Sequence, residues 1–338
     1  MLQRPRGLEG HHRHRASKHP STQPFIYSHC PFFNLRLSPT IGFEASIGSR
    51  VIVKAMAQHE ERTLSITNSF GERLAAKFVD TGSDDVTVLC HGYASGKDGF
   101  CFPELASALA AVGRSSLRFD FAGNGESEGT FSFGGYMREV EDLRAVVAWL
   151  REQGGRRVLA IVGHSKGGNV VLLYASKYDD VPYVVNVAGR GVMSGGIQER
   201  FGSETLARVQ REGSVQLQQR VERGGARTLT FTLTQEAVSE RMSLDMLAAA
   251  RRIRHSRVLT LHGTADTVIP VGDAQLLLGA MREGRREQGE EQDGWHELVL
   301  VEGADHFFRR PEEAAVVVQR VVKCVQRAAG EGRAATAV

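Results

Sequence analysis

Cysteine is scarce in this chain, and the few cysteines are widely scattered. The sequence has four of them, none within a Cys-x-x-Cys motif: Cys30, Cys90, Cys101 and Cys324. Such spacing supports neither a disulfide framework nor a structural zinc site. A reducing compartment fits this cysteine usage.

The chain also lacks a long apolar run and a strong net charge. No uninterrupted apolar run reaches the roughly 18 residues of a transmembrane helix, so no membrane span is predicted. The formal net charge is +3, and the basic residues are not interleaved with stacking aromatics. We therefore predict no nucleic-acid binding. The length of 338 residues suits one large α/β domain or two small ones.

Acidic residues are nearly absent from residues 1–57, where only Glu9 and Glu44 occur among many Arg, His, Ser and Pro residues. The segment has no compact apolar stretch of the kind found in a secretory signal. It is either an organellar transit segment or a disordered or untranslated leader with Met56 as the start. The predicted location is accordingly cytoplasm or chloroplast. Residues 58–328 are predicted to form the folded domain, and residues 329–338 a disordered tail.

The folded part alternates between short apolar strands and amphipathic helices. This alternation predicts a mostly parallel sheet with helices on both faces, preceded by an antiparallel hairpin. The predicted hairpin strands are Arg62–Thr67 and Arg73–Val79, and the later strands are Val86–Cys90, Ser116–Phe119, Val158–Val162, Tyr183–Val187, Val258–Leu261 and Leu298–Val301. Helices are predicted over Phe102–Val112, Tyr136–Leu150 and the segment after Gly168.

Two later segments interrupt this rhythm. Residues 190–250 mix Gly, Gln, Arg and Glu with apolar residues, and we expect a mainly helical lid inserted between two strands of the sheet. Lids supply much of a substrate pocket and exclude water from it. Residues 282–294 are highly charged and contain glycine, and we expect a solvated loop there.

One stretch carries the strongest chemical signal. An apolar strand leads into Gly163-His164-Ser165-Lys166-Gly167, which opens a predicted helix. This Gly-x-Ser-x-Gly pattern between a strand and a helix is the nucleophile elbow, which holds a serine hydroxyl up into a cleft. The two glycines allow the strand and helix to approach closely, and the turn strains the serine backbone.

A serine nucleophile needs a histidine base and a carboxylate to orient that base. Asp266 follows one predicted strand and His306 the next, in the chain order Ser, Asp, His that this elbow requires. We therefore predict a Ser165–His306–Asp266 triad at the C-terminal edge of the sheet. Asp266 could instead cap a turn, and Asp305 is a competing carboxylate.

An oxyanion hole needs two backbone N–H groups. The predicted donors are Lys166, directly after the nucleophile, and Tyr93, in the loop after an earlier strand. His91 in that loop is expected to support the loop rather than act as a second base. The Gly-rich run that follows Asp120 lacks the Lys-[Ser/Thr] of a phosphate-binding loop, so a structural turn is the better interpretation.

Together these motifs resemble the α/β-hydrolase superfamily, in the serine aminopeptidase and monoacylglycerol lipase-like branch, and are similar to cinnamoyl (feruloyl) esterases. The resemblance covers residues 62–322 and rests on His91-Gly92-Tyr93, Asp120–Ser127, Gly163–Gly168, His262–Pro270 and Gly303–His306. Asn124 stands where this branch often has His, and Lys166 where it usually has Gln or Met. The Lys166 charge is expected to alter the rim of the pocket. The leader and the overall pattern resemble those of plant proteins.

The resemblance implies a carboxylic-ester hydrolase that acts on an acyl-lipid or aromatic acyl ester through an acyl-enzyme, with a small-molecule substrate. Ser165 would be the nucleophile, His306 the base and Asp266 its orienter. A peptidase or amidase, an acyltransferase and a non-catalytic small-molecule receptor remain alternatives on the same fold. No metal or organic cofactor is implied, because side chains suffice for this chemistry. The oligomeric state is left open.

Overall fold

Short apolar strands and amphipathic helices alternate through most of the chain, and they build a central sheet between two helical layers. The computed structural model describes residues 59–152, 155–222, 226–290 and 294–336. The predicted leader, residues 1–57, lies outside the described residues.

The strands are β1 (Glu61–Thr67), β2 (Arg73–Val79), β3 (Asp85–Cys90), β4 (Ser115–Phe119), β5 (Arg157–His164), β6 (Tyr183–Val187), β7 (Ser214–Glu222), β8 (Ala226–Thr234), β9 (Arg257–Gly263) and β10 (His296–Val301). The helices are α1 (Phe102–Ala111), α2 (Tyr136–Glu152), α3 (Lys166–Tyr178), α4 (Ile197–Glu212), α5 (Gln235–Ser243), α6 (Met246–Arg251), α7 (Val271–Arg286) and α8 (Pro311–Thr336). The strands predicted in the sheet agree with these bounds to within two residues, apart from the lid strands discussed below.

The main sheet has eight strands in the order β1-β2-β4-β3-β5-β6-β9-β10. β1 pairs antiparallel with β2, and β2 pairs antiparallel with β4. All the remaining pairs, from β4 across to β10, are parallel. The predicted hairpin followed by a mostly parallel sheet is therefore confirmed.

Helices cover both faces of this sheet. One core cluster packs α2, α3, α6 and α7 against it, with Tyr174 and Leu143 among the fully buried side chains. The other cluster packs α1 and α8 against the opposite face, through residues such as Phe102 and Val317. Because both faces are covered, β3 and β6 are buried along their whole length. Their mostly apolar sequences suit this burial.

The insertion lies between β6 and β9 and is helical over much of its length, as predicted, but it is not helical throughout. Besides α4, α5 and α6 it contains the antiparallel hairpin β7–β8, which forms a separate two-stranded sheet. α4 is also kinked at Gly202, whose φ of 76° and ψ of 154° are not helical. The hairpin buries Val215, Phe231 and Leu233 in an apolar cluster that also contains Phe133 and residues of α4.

Two further expectations differ from the structure. Residues 282–286, expected to lie in a solvated loop, belong to α7, and Arg285 is buried there. The predicted disordered tail begins at residue 329, whereas α8 continues to Thr336. The start of this continuation has a physical reason, since the amphipathic spacing of α8 buries Ala328 and Ala329 in the core.

None of the helices in the described part of the chain combines the length and the apolar character that a membrane crossing needs.

Candidate active site

Ser165 stands at the turn between β5 and α3, in a strained backbone conformation. Its φ of 56° and ψ of −118° are rare for a residue with a side chain. The flanking glycines explain how the turn is possible. A methyl group on Gly163 would lie 2.1 Å from the carbonyl oxygen of Gly167, and one on Gly167 would lie 2.3 Å from that of Cys90. Only glycine fits at either position.

The structure brings Ser165, His306 and Asp266 together. His306 Nε2 lies 2.9 Å from Ser165 Oγ, and His306 Nδ1 lies 2.7 Å from Asp266 Oδ2. Because a carboxylate accepts hydrogen bonds, we assign the ring proton to Nδ1, which leaves Nε2 able to accept the serine proton. His306 is buried, whereas Ser165 remains partly accessible.

The two oxygens of Asp266 have separate partners. Oδ1 accepts hydrogen bonds from the backbone N–H groups of Val268 and Ile269, at 2.8 and 2.7 Å. Oδ2 faces His306. Burial raises the pKa of Asp266, but hydrogen bonds from His262 and His306 outweigh that effect and hold the pKa well below its ordinary value. The Asp266 carboxylate is therefore ionised at any pH at which His306 would act as a base.

The competing residues take structural positions. Asp305 accepts a hydrogen bond from the backbone N–H of Phe307 at 2.9 Å and pairs with Arg309, so it caps its own turn. His91 contacts Gly92 O through Nδ1 at 2.8 Å and accepts from the Phe121 N–H at 3.0 Å. Its expected role in supporting the loop agrees with these contacts.

The two predicted oxyanion donors border Ser165. Lys166 is the first residue of α3 and follows Ser165 directly. Tyr93 follows Gly92, where an added methyl group would lie 3.1 Å from Ser165 Cβ. The loop of residues 91–93 therefore passes beside the serine. That the backbone N–H groups of Tyr93 and Lys166 stabilise an oxyanion stays a prediction.

The side chain of Lys166 does not lie at the rim of the pocket, contrary to expectation. It is buried, and its Nζ lies 2.7 Å from Glu139 Oε1 and 2.6 Å from Gly134 O. The Tyr136 ring centre is 4.9 Å from the same Nζ. The ammonium group points away from the pocket rim because it pairs with the buried Glu139 carboxylate of α2. Its charge is therefore neutralised inside the protein.

Two histidines that the sequence analysis did not single out also support the site. His164 stacks on Phe100 at 4.0 Å between ring centres, and its Nε2 lies 2.9 Å from the His306 carbonyl oxygen. His262 Nε2 lies 2.9 Å from Ile269 O and 3.3 Å from Asp266 Oδ2. Both lie within the motifs that carry the family resemblance, and this position in the sequence is what indicates their role at the site.

A group of aromatic side chains packs around the loop that carries Tyr93. The Tyr93 ring packs edge-on against Phe131 and Phe133, at 5.3 and 5.8 Å between centres. Phe131 in turn contacts Phe231 of the hairpin, and Phe133 contacts Phe201 of α4. The lid is therefore joined through its apolar surface to the loop beside Ser165.

Sequence comparison agrees with this architecture. Residues 86–278, more than half of the chain, match the family described as the alpha/beta hydrolase fold. The chain belongs to the α/β-hydrolase family. No curated protein sequence is similar enough to match it.

Solved α/β hydrolases share the same fold at low sequence identity. A Pyrococcus furiosus esterase, Pf2001, is 18% identical with a TM-score of 0.58, covering 86% of this chain and 97% of its own. Est1E from Butyrivibrio proteoclasticus, solved with ferulic acid bound, is 17% identical with a TM-score of 0.59, covering 79% and 99%. The α/β hydrolase GrgF from a Penicillium species is 17% identical with a TM-score of 0.64, covering 79% and 98%. At these identities the likeness shows the α/β-hydrolase fold alone.

Proposed function

We propose that this α/β hydrolase is a serine hydrolase that cleaves carboxylic esters through an acyl-enzyme. The observation that carries the proposal is the continuous hydrogen-bonded chain from Asp266 through His306 to Ser165. A serine hydroxyl is a weak nucleophile on its own, and this arrangement is how a neutral side chain is activated.

The reaction follows from the positions of the donors and acceptors. Ser165 Oγ attacks the ester carbonyl carbon while its proton passes to His306 Nε2. The backbone N–H groups of Tyr93 and Lys166 then donate to the oxygen that becomes negative. His306 returns the proton to the departing alcohol, leaving the acyl group on Ser165. Water, activated by His306, attacks the acyl-enzyme and frees the acid.

The ionised state of Asp266 supports this role for His306. The imidazole becomes positive when it accepts the serine proton, and a fixed carboxylate beside Nδ1 stabilises that charge. Apolar and aromatic residues of the lid lie next to the same loop. They favour an ester with an apolar or aromatic acyl group, and Est1E was solved with an aromatic acid bound.

The test uses a fluorophosphonate probe, which labels an activated serine, together with a panel of acyl esters. We expect the native chain to be labelled and to hydrolyse esters, and the Ser165→Ala variant to do neither. Asp266→Asn keeps an oxygen for the Val268 and Ile269 amides but loses the anion, so kcat should fall by about 10⁴-fold without unfolding.

The controls separate the alternatives. Labelling of Ser165→Ala at the native rate would show that another residue is the nucleophile. Labelling of the native chain without turnover of any ester would contradict the esterase proposal and favour a receptor or a transferase.

A further inference from the structure

Three arginines lie near one turn of the insertion, close enough for the charge of Arg200 to act on Arg190 and Arg241. Arg241 Nη2 donates to the Gly195 carbonyl at 2.6 Å. Arg190 packs against the same turn, since a methyl group on Gly195 would lie 2.8 Å from its Nη1 and one on Gly196 2.7 Å from its Nη2. Arg200 follows at the start of α4, with its guanidinium carbon 4.5 Å from the Tyr93 ring centre. We call these three residues the arginine cluster.

The arginine cluster borders the candidate active site. The backbone N–H of Arg190 donates to Asn169 Oδ1 at 3.0 Å, and the Asn169 N–H donates to the Ser165 carbonyl at 3.2 Å. Arg190 Nη2 donates to the Val268 carbonyl at 2.6 Å, two residues beyond Asp266. Arg190 therefore connects the first turn of α3 to the loop of Asp266.

Within the described residues, none of the three arginines forms a salt bridge with a carboxylate. The nearby carboxylates are engaged elsewhere. Asp273 accepts from the backbone N–H groups of Gly191 and Val192, and Glu240 accepts from that of Gly135. Asp273 still acts on Arg190 through its charge, but it does not contact the guanidinium.

This arrangement is costly unless an anion completes it. Arg190 and Arg241 are 7% and 5% exposed, and Arg241 Nε is buried without a hydrogen-bond partner. Burial lowers the pKa of both groups, and repulsion from Arg200 lowers it further. Arginine nevertheless stays protonated in proteins, so it cannot relieve the cost by losing its charge. Buried charges are normally paired.

We propose that the ester cleaved by this chain carries an anionic group, a carboxylate or a phosphate, that the arginine cluster holds while Ser165 attacks. This inference rests on the proposed function and adds the substrate class to it. Planar guanidinium groups bind both anions through paired hydrogen bonds. The rings of Tyr93 and Phe133, which lie beneath Arg200 and Arg241, would contact the apolar part of the same substrate.

The test compares esters in matched pairs, one member anionic and the other neutral. The first pair places the charge on the acyl side: mono-4-nitrophenyl glutarate against 4-nitrophenyl hexanoate. The second places it on the alcohol side: an acylglycerol 3-phosphate against the monoacylglycerol with the same acyl chain. We expect a higher kcat/KM for the anionic member of one pair, and a preference that weakens as salt is added.

Substitutions then assign that preference to the arginine cluster. Arg200→Gln changes an exposed residue, and Arg241→Gln changes a buried one. Each should lower kcat/KM for the anionic ester by about tenfold or more, the equivalent of one charge-assisted hydrogen bond. The loss on the neutral member of the same pair should be clearly smaller, because a neutral ester makes no charge-assisted bond to these residues. The control is Arg208→Gln, an exposed residue farther along α4 that pairs with Glu212.

The outcomes distinguish this inference from the proposed function. If native protein reacts with the fluorophosphonate and prefers the neutral ester in both pairs, the arginine cluster is not an anion site and the esterase proposal stands. Equal losses on both members of a pair in Arg200→Gln would also overturn the inference. If the probe and all the esters fail to react, the proposed function falls, and this inference falls with it.

Discussion

Asp266 serves two purposes with one carboxylate. Its Oδ1 holds the turn that leads to Ile269, and its Oδ2 holds His306. From sequence alone, a turn cap and a triad carboxylate are competing interpretations, because Asp is common in both settings. In the structure both contacts occur together. The turn fixes the carboxylate in position, so the same bonds that shape the loop also direct the second oxygen at the imidazole.

The Lys166–Glu139 pair yields a prediction about stability. Both side chains are buried, so removing the Glu139 carboxylate leaves the Lys166 ammonium group unpaired. We expect Glu139→Gln alone to lower the free energy of unfolding by about 3–5 kcal/mol, and Lys166→Met with Glu139→Leu to cost far less. Urea unfolding measures this. Because the oxyanion donor proposed at residue 166 is a backbone N–H, the double variant should still be labelled by a fluorophosphonate.

The pH dependence of stability gives this prediction an independent readout. Burial raises the pKa of Glu139 from 4.5 to about 7, although Lys166 opposes the rise. The folded chain then binds more protons than the unfolded chain between these values. The contribution of Glu139 to stability is present below pH 4.5 and is lost as the pH rises toward 7. An unchanged pH slope in the double variant would contradict this assignment.

At the scale of elements, the lid hairpin is what the sequence analysis missed. The sequence Leu229-Thr230-Phe231-Thr232-Leu233 alternates apolar and polar residues, as a strand with one buried face does. Phe231 and Leu233 are buried, while Thr230 and Thr232 are exposed. This alternation indicates a strand. The surrounding segment favours a helical prediction instead, because it breaks the alternation of the main sheet and is rich in helix-forming Arg, Glu and Gln.

Tyr93 joins this hairpin to the predicted oxyanion loop. Its hydroxyl donates to Gln219 of β7 at 3.1 Å, and its ring packs on Phe131 and Phe133. Tyr93→Phe should cost about 1 kcal/mol of stability and little activity. Tyr93→Ala removes the ring as well, so the loop shifts, and kcat/KM should fall by up to about 10²-fold. Steady-state kinetics and urea unfolding test both.

A remote tyrosine provides the matched control. Tyr178 at the end of α3 donates its hydroxyl to Glu141 at 2.8 Å, so Tyr178→Phe removes a similar bond far from Ser165. It should affect stability alone. Native kcat/KM in Tyr93→Ala would mean that the ring does not hold the loop in place.

At the scale of the whole molecule, strand order creates the candidate site. Ser165, Asp266 and His306 follow β5, β9 and β10, whose C-terminal ends share one edge of the sheet. The sequence pattern could predict the strands, because a buried strand requires mostly apolar residues. It could therefore also predict which polar residues follow the strand ends. It could not predict that Lys166 turns inward or that Arg190 and Arg241 converge, since those contacts depend on partners distant in the chain.

The closeness of β5 and α3 can be tested through two glycines. Gly163→Ala would push a methyl group to 2.1 Å from the Gly167 carbonyl oxygen, a backbone atom that cannot move aside alone. We expect a loss of about 1–3 kcal/mol in the free energy of unfolding, as for other overpacked sites. Fluorophosphonate labelling should fall at the same time, because the strand and helix must separate at Ser165.

Gly279→Ala is the matched control, since this exposed glycine of α7 has nothing within 4 Å of an added methyl group. Alanine is the better helix former, so the change should raise the free energy of unfolding by about 0.5–1 kcal/mol and leave labelling intact. The two substitutions are chemically identical and should act in opposite directions, because only Gly163 lies where strand and helix backbones touch. Equal effects on stability would mean that this contact does not shape the elbow, and native labelling of Gly163→Ala would mean that Ser165 does not depend on it.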